Sequence, residues 1–408
     1  MRYKIILIVA TIFCAMGCNG LYSSPDETSN ERRDIVLTRG EAVCKDASNE
    51  LAFNLIGSIE RENQGSSYFF SPLSVSFELG LLATGAESRS KEQIQHALKI
   101  ESLDDMIFFT KTMLGLLPDL DKKTQFYLSN ITLSNSRCGV VFKDSYKEII
   151  QKNYAAFIDS KDFSSPKTVS LINDWGSSST GGRIKGIGDK LSASDIFFIA
   201  NAAYFKGDWA LDYFSKTKKE RFTMEDGTTL DVDMMEHSGQ KVSYSVYDKF
   251  TAASLDYGNG SFSLRVFLPN SGYAVSEIIN DVSDAYSGQV KAVESGFTTS
   301  FKLPKFQGSY GFDLARYLVE LGITDIFDPK VADFGSMTSY PQCHVTGLWQ
   351  DSFISIDEKG TEAAAVTYTA MALGVIKYSD VILDRPFLYM ITENSTGSIL
   401  FAGKFAGK

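Results

Sequence analysis

Reactive side chains are scarce in this sequence. It holds only three histidines, His96, His237 and His344. A His-rich metal site is therefore not expected, and a Ser-His-Asp hydrolase has little to choose from. Neither a G-x-S-x-G elbow nor an H-E-x-x-H motif occurs, so a secreted hydrolase carries little weight. Cys44, Cys138 and Cys343 are odd in number and widely spaced. They imply no disulfide framework or C-x-x-C site and read as buried or idle thiols. One segment does ask for an explanation. From Ala363 to Ile376 there is no charged residue. Taken two by two, Thr361, Ala363, Ala365, Thr367, Thr369 and Met371 are uncharged and all but the last are small, while the alternate set begins with Glu362. A strand with such a face could slot into a crowded sheet. A buried core strand, or an Ala-rich helix starting after Glu362, fits the same residues. Exposed, such a strand would be an aggregation hazard, and a protein that exposes one should have a use for it.

The rest of the chain must position that segment. It has 408 residues, with Lys+Arg 40 against Asp+Glu 50 and a net charge of −10. The negative balance argues against a nucleic-acid groove and against a polybasic membrane patch. The 29 Phe, 19 Tyr and 32 Gly against 9 Pro favour many strands with Gly-rich turns. Apolar spacing predicts helices around 47–61, over 72–85 from Pro72 to Gly85, near 103–116 and near 145–158. Ser90 with Gln93 resembles a capping box ahead of Ile94 and Leu98. The run from Ile196 to Phe205 reads as a strand buried on both faces, and 261–268 as a half-buried one. Lys216, Lys218, Lys219 and Arg221 read as a solvated turn. Helices followed by a strand-rich region make the class α+β, in one domain.

The first residues read as a targeting segment. Arg2 and Lys4 precede an apolar stretch from Ile5 to Met16 that is too short to span a membrane. It ends Ala15-Met16-Gly17-Cys18, which resembles the lipobox of bacterial lipoproteins. The resemblance implies a signal peptide over 1–17 and a lipidated Cys18, hence a cell-envelope or outer-surface location; plain secretion is the alternative. Residues 19–43 are polar and read as a flexible tether, with the domain proper over 44–408.

Several separate motifs resemble the serpin family of protease inhibitors. They are Phe69-Phe70-Ser71-Pro72-Leu73-Ser74, Asn173-Asp174-Trp175 with Thr180-Gly181-Gly182-Arg183-Ile184, and Asn201-Ala202-Ala203-Tyr204-Phe205-Lys206-Gly207-Asp208-Trp209. Leu303-Pro304-Lys305-Phe306, Asp384-Arg385-Pro386-Phe387-Leu388 and Phe401-Ala402-Gly403-Lys404 add to them, and the resemblance runs from about residue 45 to 408. It implies three sheets, about eight or nine helices and an exposed reactive-centre loop at about 358–380. Glu358, Gly360, Thr361, Glu362, Ala363, Ala364, Ala365 and Thr367 resemble the hinge of inhibitory members.

The implied activity is inhibition of proteases, mostly serine and sometimes cysteine, as a suicide substrate and not an enzyme. A non-inhibitory binding or carrier protein is the alternative. Ser71, Ser74, Asn201, Trp209 and Gln350 fall where the family controls opening of its main sheet. Gln350 stands where a His is common, and its amide could keep the bond to Asn201. Family spacing from Gly360 places the cut bond at Gly374–Val375, and counting back from Pro386 places it at Val375–Ile376. Either favours elastase-like or subtilisin-like targets. Leu373 and Tyr378 would suit chymotrypsin-like enzymes, and Lys377, ranked behind, trypsin-like ones. No cofactor is implied, heparin is not expected because the corresponding region is acidic, and a monomer is expected.

Overall fold

The computed structural model describes residues 30–340, 343–360 and 380–407. In chain order, helix α1 (Arg39–Glu62) leads to β1 (Tyr68–Phe70), α2 (Pro72–Gly85), α3 (Ser88–Ala97) and α4 (Leu103–Leu116). Then come β2 (Thr124–Asn135), α5 (Asp144–Asn153), β3 (Ala156–Lys161), α6 (Pro166–Ser178) and β4 (Phe197–Gly207). Strands β5 (Phe214–Thr223), β6 (Thr229–His237), β7 (Val242–Val246), β8 (Phe250–Tyr257) and β9 (Phe262–Pro269) follow. Helix α7 (Val275–Tyr286) precedes β10 (Glu294–Thr298), β11 (Phe301–Pro304), β12 (Phe306–Asp313) and α8 (Ala315–Glu320). The chain closes with β13 (Trp349–Ile356), β14 (Val381–Ile382), β15 (Phe387–Glu393) and β16 (Ser398–Phe405).

The strands make three sheets. One has five strands in the order β12-β13-β4-β2-β3, one has four, β14-β11-β6-β5, and one has seven, β1-β16-β15-β9-β8-β7-β10. The α+β class and the three sheets match the expectation from sequence. Helix α2 joins the two larger sheets. Pro72 opens it, Ser71 caps it by accepting from the Ser74 N–H, and every residue but Thr84 is buried. It packs against α1, β16 and β4. A helix with apolar residues all round, like this one, sits inside the core, even though it carries Ser74, Ser76 and Glu78.

Local detail departs from the sequence reading in several places. Residues 30–43 are not tether. Thr38 and Glu41 form a capping box that starts α1 at Arg39. Asn30 Nδ2 donates to Asp121 Oδ1 at 2.8 Å, and buried Ile35 donates its N–H to Ser395 Oγ at 2.8 Å. Ser90 and Gln93 do not cap α3. Ser90 Oγ accepts from the Asp333 N–H at 3.0 Å, and the Gln93 amide pairs with Asp325 at 2.9 Å. Helix α5 stops at Asn153, because Ala155 takes a left-handed φ of 48° and β3 begins at Ala156. The basic run lies in β5, not in a turn. Lys216 and Lys218 pair with Glu236, and Lys219 with Asp233, on the neighbouring strand. Strand β9 is buried on both faces except at Arg265, since β8 and β15 flank it inside the seven-stranded sheet.

Candidate functional site

The five-stranded sheet has a defect at its centre. Strand β4 pairs antiparallel with β2 along its whole length, from Phe197 opposite Ser134 to Gly207 opposite Thr124. On its other side it runs parallel to β13, and only Trp349 to Phe353 find partners, against Ala200 to Tyr204. Ile354 to Ile356 on β13, and Phe205 to Gly207 on β4, have no partner across this seam. The seam is therefore closed at one end and open at the other. Parallel neighbours at the middle of a sheet also leave a topological vacancy. A strand running the opposite way could enter between them and make antiparallel ladders on both sides.

At the closed end, Asn130, Asn201 and Gln350 share one register row across β2, β4 and β13. Gln350 does not bond Asn201, contrary to the expectation from sequence. Its Oε1 accepts from the Ser71 N–H at 2.7 Å, and its Nε2 donates to the Ser71 carbonyl at 3.0 Å. Both ends of the amide are spent on the N-cap of α2, so β13 is clamped to that helix. Asn201 turns the other way and donates to Asn130 Oδ1 at 2.8 Å, and Asn130 donates to the Tyr154 carbonyl at 2.9 Å. Ser71 Oγ also donates to the Leu400 carbonyl at 2.7 Å, which ties the row to the seven-stranded sheet. Ser74 Oγ is buried without a protein partner.

At the open end β13 runs into a tight turn. The Gly360 N–H donates to the Asp357 carbonyl at 3.2 Å, and Asp357 Oδ1 accepts from the Lys359 N–H at 3.0 Å. Asp first and Gly fourth are the residues such a turn selects. Gly360 has φ 72°, and a Cβ there would lie 2.3 Å from the Trp209 nitrogen, so no other residue fits. Trp209 holds the turn from below. Its Nε1 donates to the Asp357 carbonyl at 2.9 Å, its backbone N–H donates to the Lys359 carbonyl at 3.2 Å, and its ring stacks on Tyr257 with centroids 4.5 Å apart. Glu358 pairs with Lys305 at 2.8 Å and accepts from the Thr217 hydroxyl. Partial burial would raise its pKa, but the Lys305 ammonium and the Thr217 hydroxyl together bring it down to about 2.

The residues singled out from sequence thus fall into two groups at opposite ends of one seam. Ser71, Ser74, Asn201 and Gln350 lie at the closed end, and Trp209, Glu358 and Gly360 at the open end. Thr361, Glu362, Ala363, Ala364, Ala365, Thr367, Leu373, Gly374, Val375, Ile376 and Lys377 lie outside the described residues, as does Cys18. Sequence reasoning missed Asn130, Lys305 and Thr217. Lys305 stands inside a quoted motif, Leu303-Pro304-Lys305-Phe306, and could have been picked out there. Thr217 sits inside the misread basic run and carried no signal. Among the described residues, no cluster of three or more ligand-type side chains could hold a metal, and no helix is long and apolar enough to cross a membrane.

The sequence profile of the family described as Serpin (serine protease inhibitor) matches residues 46–407. Serpin-ZX of Arabidopsis thaliana is 30% identical over 383 residues, covering 87% of this chain and 96% of that protein. The native-state structure of tengpin, a thermophilic serpin, superposes with a TM-score of 0.79 at 26% identity, covering 93% of this chain and 97% of tengpin. Thyroxine-binding globulin in complex with thyroxine superposes with a TM-score of 0.75 at 25% identity, covering 89% of this chain and 98% of that one. The chain belongs to the serpin family, whose members are characteristically protease inhibitors rather than catalysts.

Proposed function

We propose that this serpin is an inhibitory one, acting as a suicide substrate of serine-type endopeptidases and, by the same chemistry, of some cysteine proteases. The observation that carries the reading is the half-paired parallel seam between β4 and β13, with a tight turn at 357–360 at its open end. A protease that attacks a bond near Gly374, Val375 or Ile376 forms an acyl-enzyme on the newly made carboxyl end. The segment after Gly360, now free at that end, enters the seam as an antiparallel strand. About ten new ladder hydrogen bonds, at about 1 kcal/mol net each, give a driving force on the order of 10 kcal/mol. The protease is carried along the sheet on its ester link, and distortion of its oxyanion hole stalls deacylation.

The uncharged stretch from Ala363 to Ile376 supports this reading. As a strand, Thr361, Ala363, Ala365 and Thr367 would present a small face that a crowded sheet can take. Elastase-like and subtilisin-like enzymes are the favoured targets. With Cys18 lipidated, the inhibitor would work as a monomer at the cell envelope or outer surface against proteases arriving from outside.

A second reading, a small-molecule carrier, is favoured by one cleft. It has a volume of about 340 Å³ and lies between β7–β9 and α7, lined by Tyr247, Phe250, Phe267, Tyr286 and Arg265. The Arg265 Nε is buried there without a partner, and one family member of this fold binds thyroxine.

The test is to mix the chain lacking residues 1–18 with elastase-, subtilisin-, chymotrypsin- and trypsin-like proteases and run denaturing gels. The expected result is a band of summed mass with an elastase-like or subtilisin-like enzyme, with the released peptide beginning between Val375 and Lys377. An Ala365→Arg variant should be cut and should not trap. Cleavage by every protease with no such band would overturn the inhibitor reading and leave the carrier.

A further inference from the structure

An aromatic row crosses the seam at its last paired rung. Tyr127 on β2 is opposite Tyr204 on β4, and Tyr204 is opposite Phe353 on β13. Their rings stack in turn, with centroids 6.2 Å apart for Tyr127 and Tyr204 and 6.5 Å apart for Tyr204 and Phe353. The Arg183 guanidinium carbon lies over the Phe353 ring, 5.3 Å from its centre. Burial pushes the Tyr204 phenol up, and the same guanidinium opposes that shift. One cation thus acts on a residue of each strand. Phe353 is the last residue of β13 with a partner on β4. A strand entering from the open end meets this rung first, and a seam that frays from that end must part these rings first.

The sequence builds Arg183 into place. It belongs to the connection between α6 and β4, within Thr180-Gly181-Gly182-Arg183-Ile184. Thr180 Oγ1 accepts from the Ile184 N–H at 3.0 Å and donates to the Gly176 carbonyl at 2.7 Å, so this turn hangs from the end of α6. Gly181 and Gly182 take left-handed φ of 57° and 81°, a pair of conformations that selects glycine. Ile184 is buried in the small apolar cluster that also holds Ala200 and Ala202 of β4. Arg183 is thereby fixed above the seam while remaining exposed itself.

We propose that Tyr204, Phe353 and Arg183 form a clasp that sets how often the seam opens, and that releasing the clasp speeds strand insertion. Stacked rings, and a cation over a ring face, are favourable only within a narrow geometry. Both contacts are lost as soon as β13 moves away from β4. The rungs from Ser352 back to Trp349 part after this one when opening starts at the open end. The effect on insertion rests on the inhibitor reading, whereas the clasp itself does not.

The test is amide hydrogen exchange of the intact full chain, without protease, on peptides covering 349–353, with β15 and β16 as reference. Phe353→Leu keeps an apolar side chain and removes the ring. Arg183→Met keeps an apolar stem and removes the charge. Exchange over 349–353 should speed up about tenfold in Phe353→Leu and about threefold in Arg183→Met, with β15 and β16 unchanged. Combining Tyr204→Leu with Phe353→Leu should speed exchange by less than the product of the two single effects, because both remove the same contact. Unchanged exchange in Phe353→Leu, equal acceleration of the reference strands, or single effects that simply multiply would each overturn the clasp. The limiting rate of covalent complex formation at saturating protease should rise in Phe353→Leu by about the same factor as exchange. An unchanged limiting rate would overturn the effect on insertion. A wild-type chain that is cut by every protease and never traps would instead overturn the inhibitor reading, while faster exchange in Phe353→Leu would still support the clasp.

Discussion

The two large sheets of this molecule are built from similar residues and behave in opposite ways. In the seven-stranded sheet, β15 and β16 pair antiparallel from Phe387 opposite Phe405 to Glu393 opposite Ser398, and both strands are buried throughout. The buried ion pair between Lys404 and Glu60, 2.7 Å long, pins that sheet to α1. In the five-stranded sheet, the β4–β13 seam is parallel and shorter than either strand, paired from Trp349 to Phe353 and unpaired beyond, where β13 runs into the turn at 357–360. One sheet has its strands satisfied and the other is left with a place for one more. The inhibitory mechanism proposed above would need both, a part that stays fixed and a part that can open.

The largest expected effect would break the rigid side. Lys404→Met leaves Glu60 buried without its cation, beside Tyr68 and close to a second carboxylate, Glu225. It should lower unfolding stability by about 3–5 kcal/mol, read from urea midpoints, with trapping per folded molecule unchanged. Next comes Glu78, on the helix between the two sheets. Both of its carboxylate oxygens are buried without a partner, and burial pushes its pKa up to about 8. The folded value lies above the unfolded one, so the acid is neutral in the fold while it ionises in the unfolded chain. Stability should therefore be full below about pH 4.5 and fall as pH rises toward 8, by on the order of 5 kcal/mol. Glu78→Gln should remove that slope in a series of urea titrations across this range.

The smaller effects sharpen the mobile side. Gly360→Ala forces a side chain against the Trp209 nitrogen and costs about 1–3 kcal/mol of local stability. Hydrogen exchange of the Trp209 N–H, which donates to Lys359, should speed up at least tenfold while amides of β15 and β16 keep their rates. Glu358→Gln should cost less than about 1 kcal/mol, because the side chains of its ion pair with Lys305 are 45% and 32% exposed. Its native pKa of about 2 lies below the ordinary 4.5, so its contribution is whole at neutral pH and is lost as pH falls from about 4.5 through 2. Wild-type and Glu358→Gln thermal midpoints should therefore converge in acid.

Strands and helices with one dominant signal were legible in the sequence. The run 196–205 is apolar enough to be a central strand, and Pro72 with Gly85 marks both ends of α2. What failed was any residue whose role is set by a partner far along the chain. Ser90 and Gln93 fit a local cap, but bonds to Asp333 and Asp325 on another segment win. Lys216 to Arg221 look solvated until Glu236 and Asp233 are seen across the ladder. Ile35-Val36-Leu37 is a three-residue apolar run in an otherwise polar stretch, too short a signal by itself to predict that 30–43 packs. Of the site, Trp209, Glu358 and Gly360 came from motif resemblance, whereas the clamp of Gln350 on Ser71 needed the register of three strands.

The turn at Asp357–Gly360 gives the seam a particular kind of clock. In folding, the slow part of making a hairpin is reversing the chain, and once the turn exists the strands close within about 1–10 μs. Here the reversal is already made and held by Trp209, and under the proposed mechanism a second strand would be added to it. Once a protease frees the far end, closing the sheet would be the last step of a folding reaction begun when the chain was made. The race against deacylation would then be set by how fast the closed end parts, and not by the search for the turn.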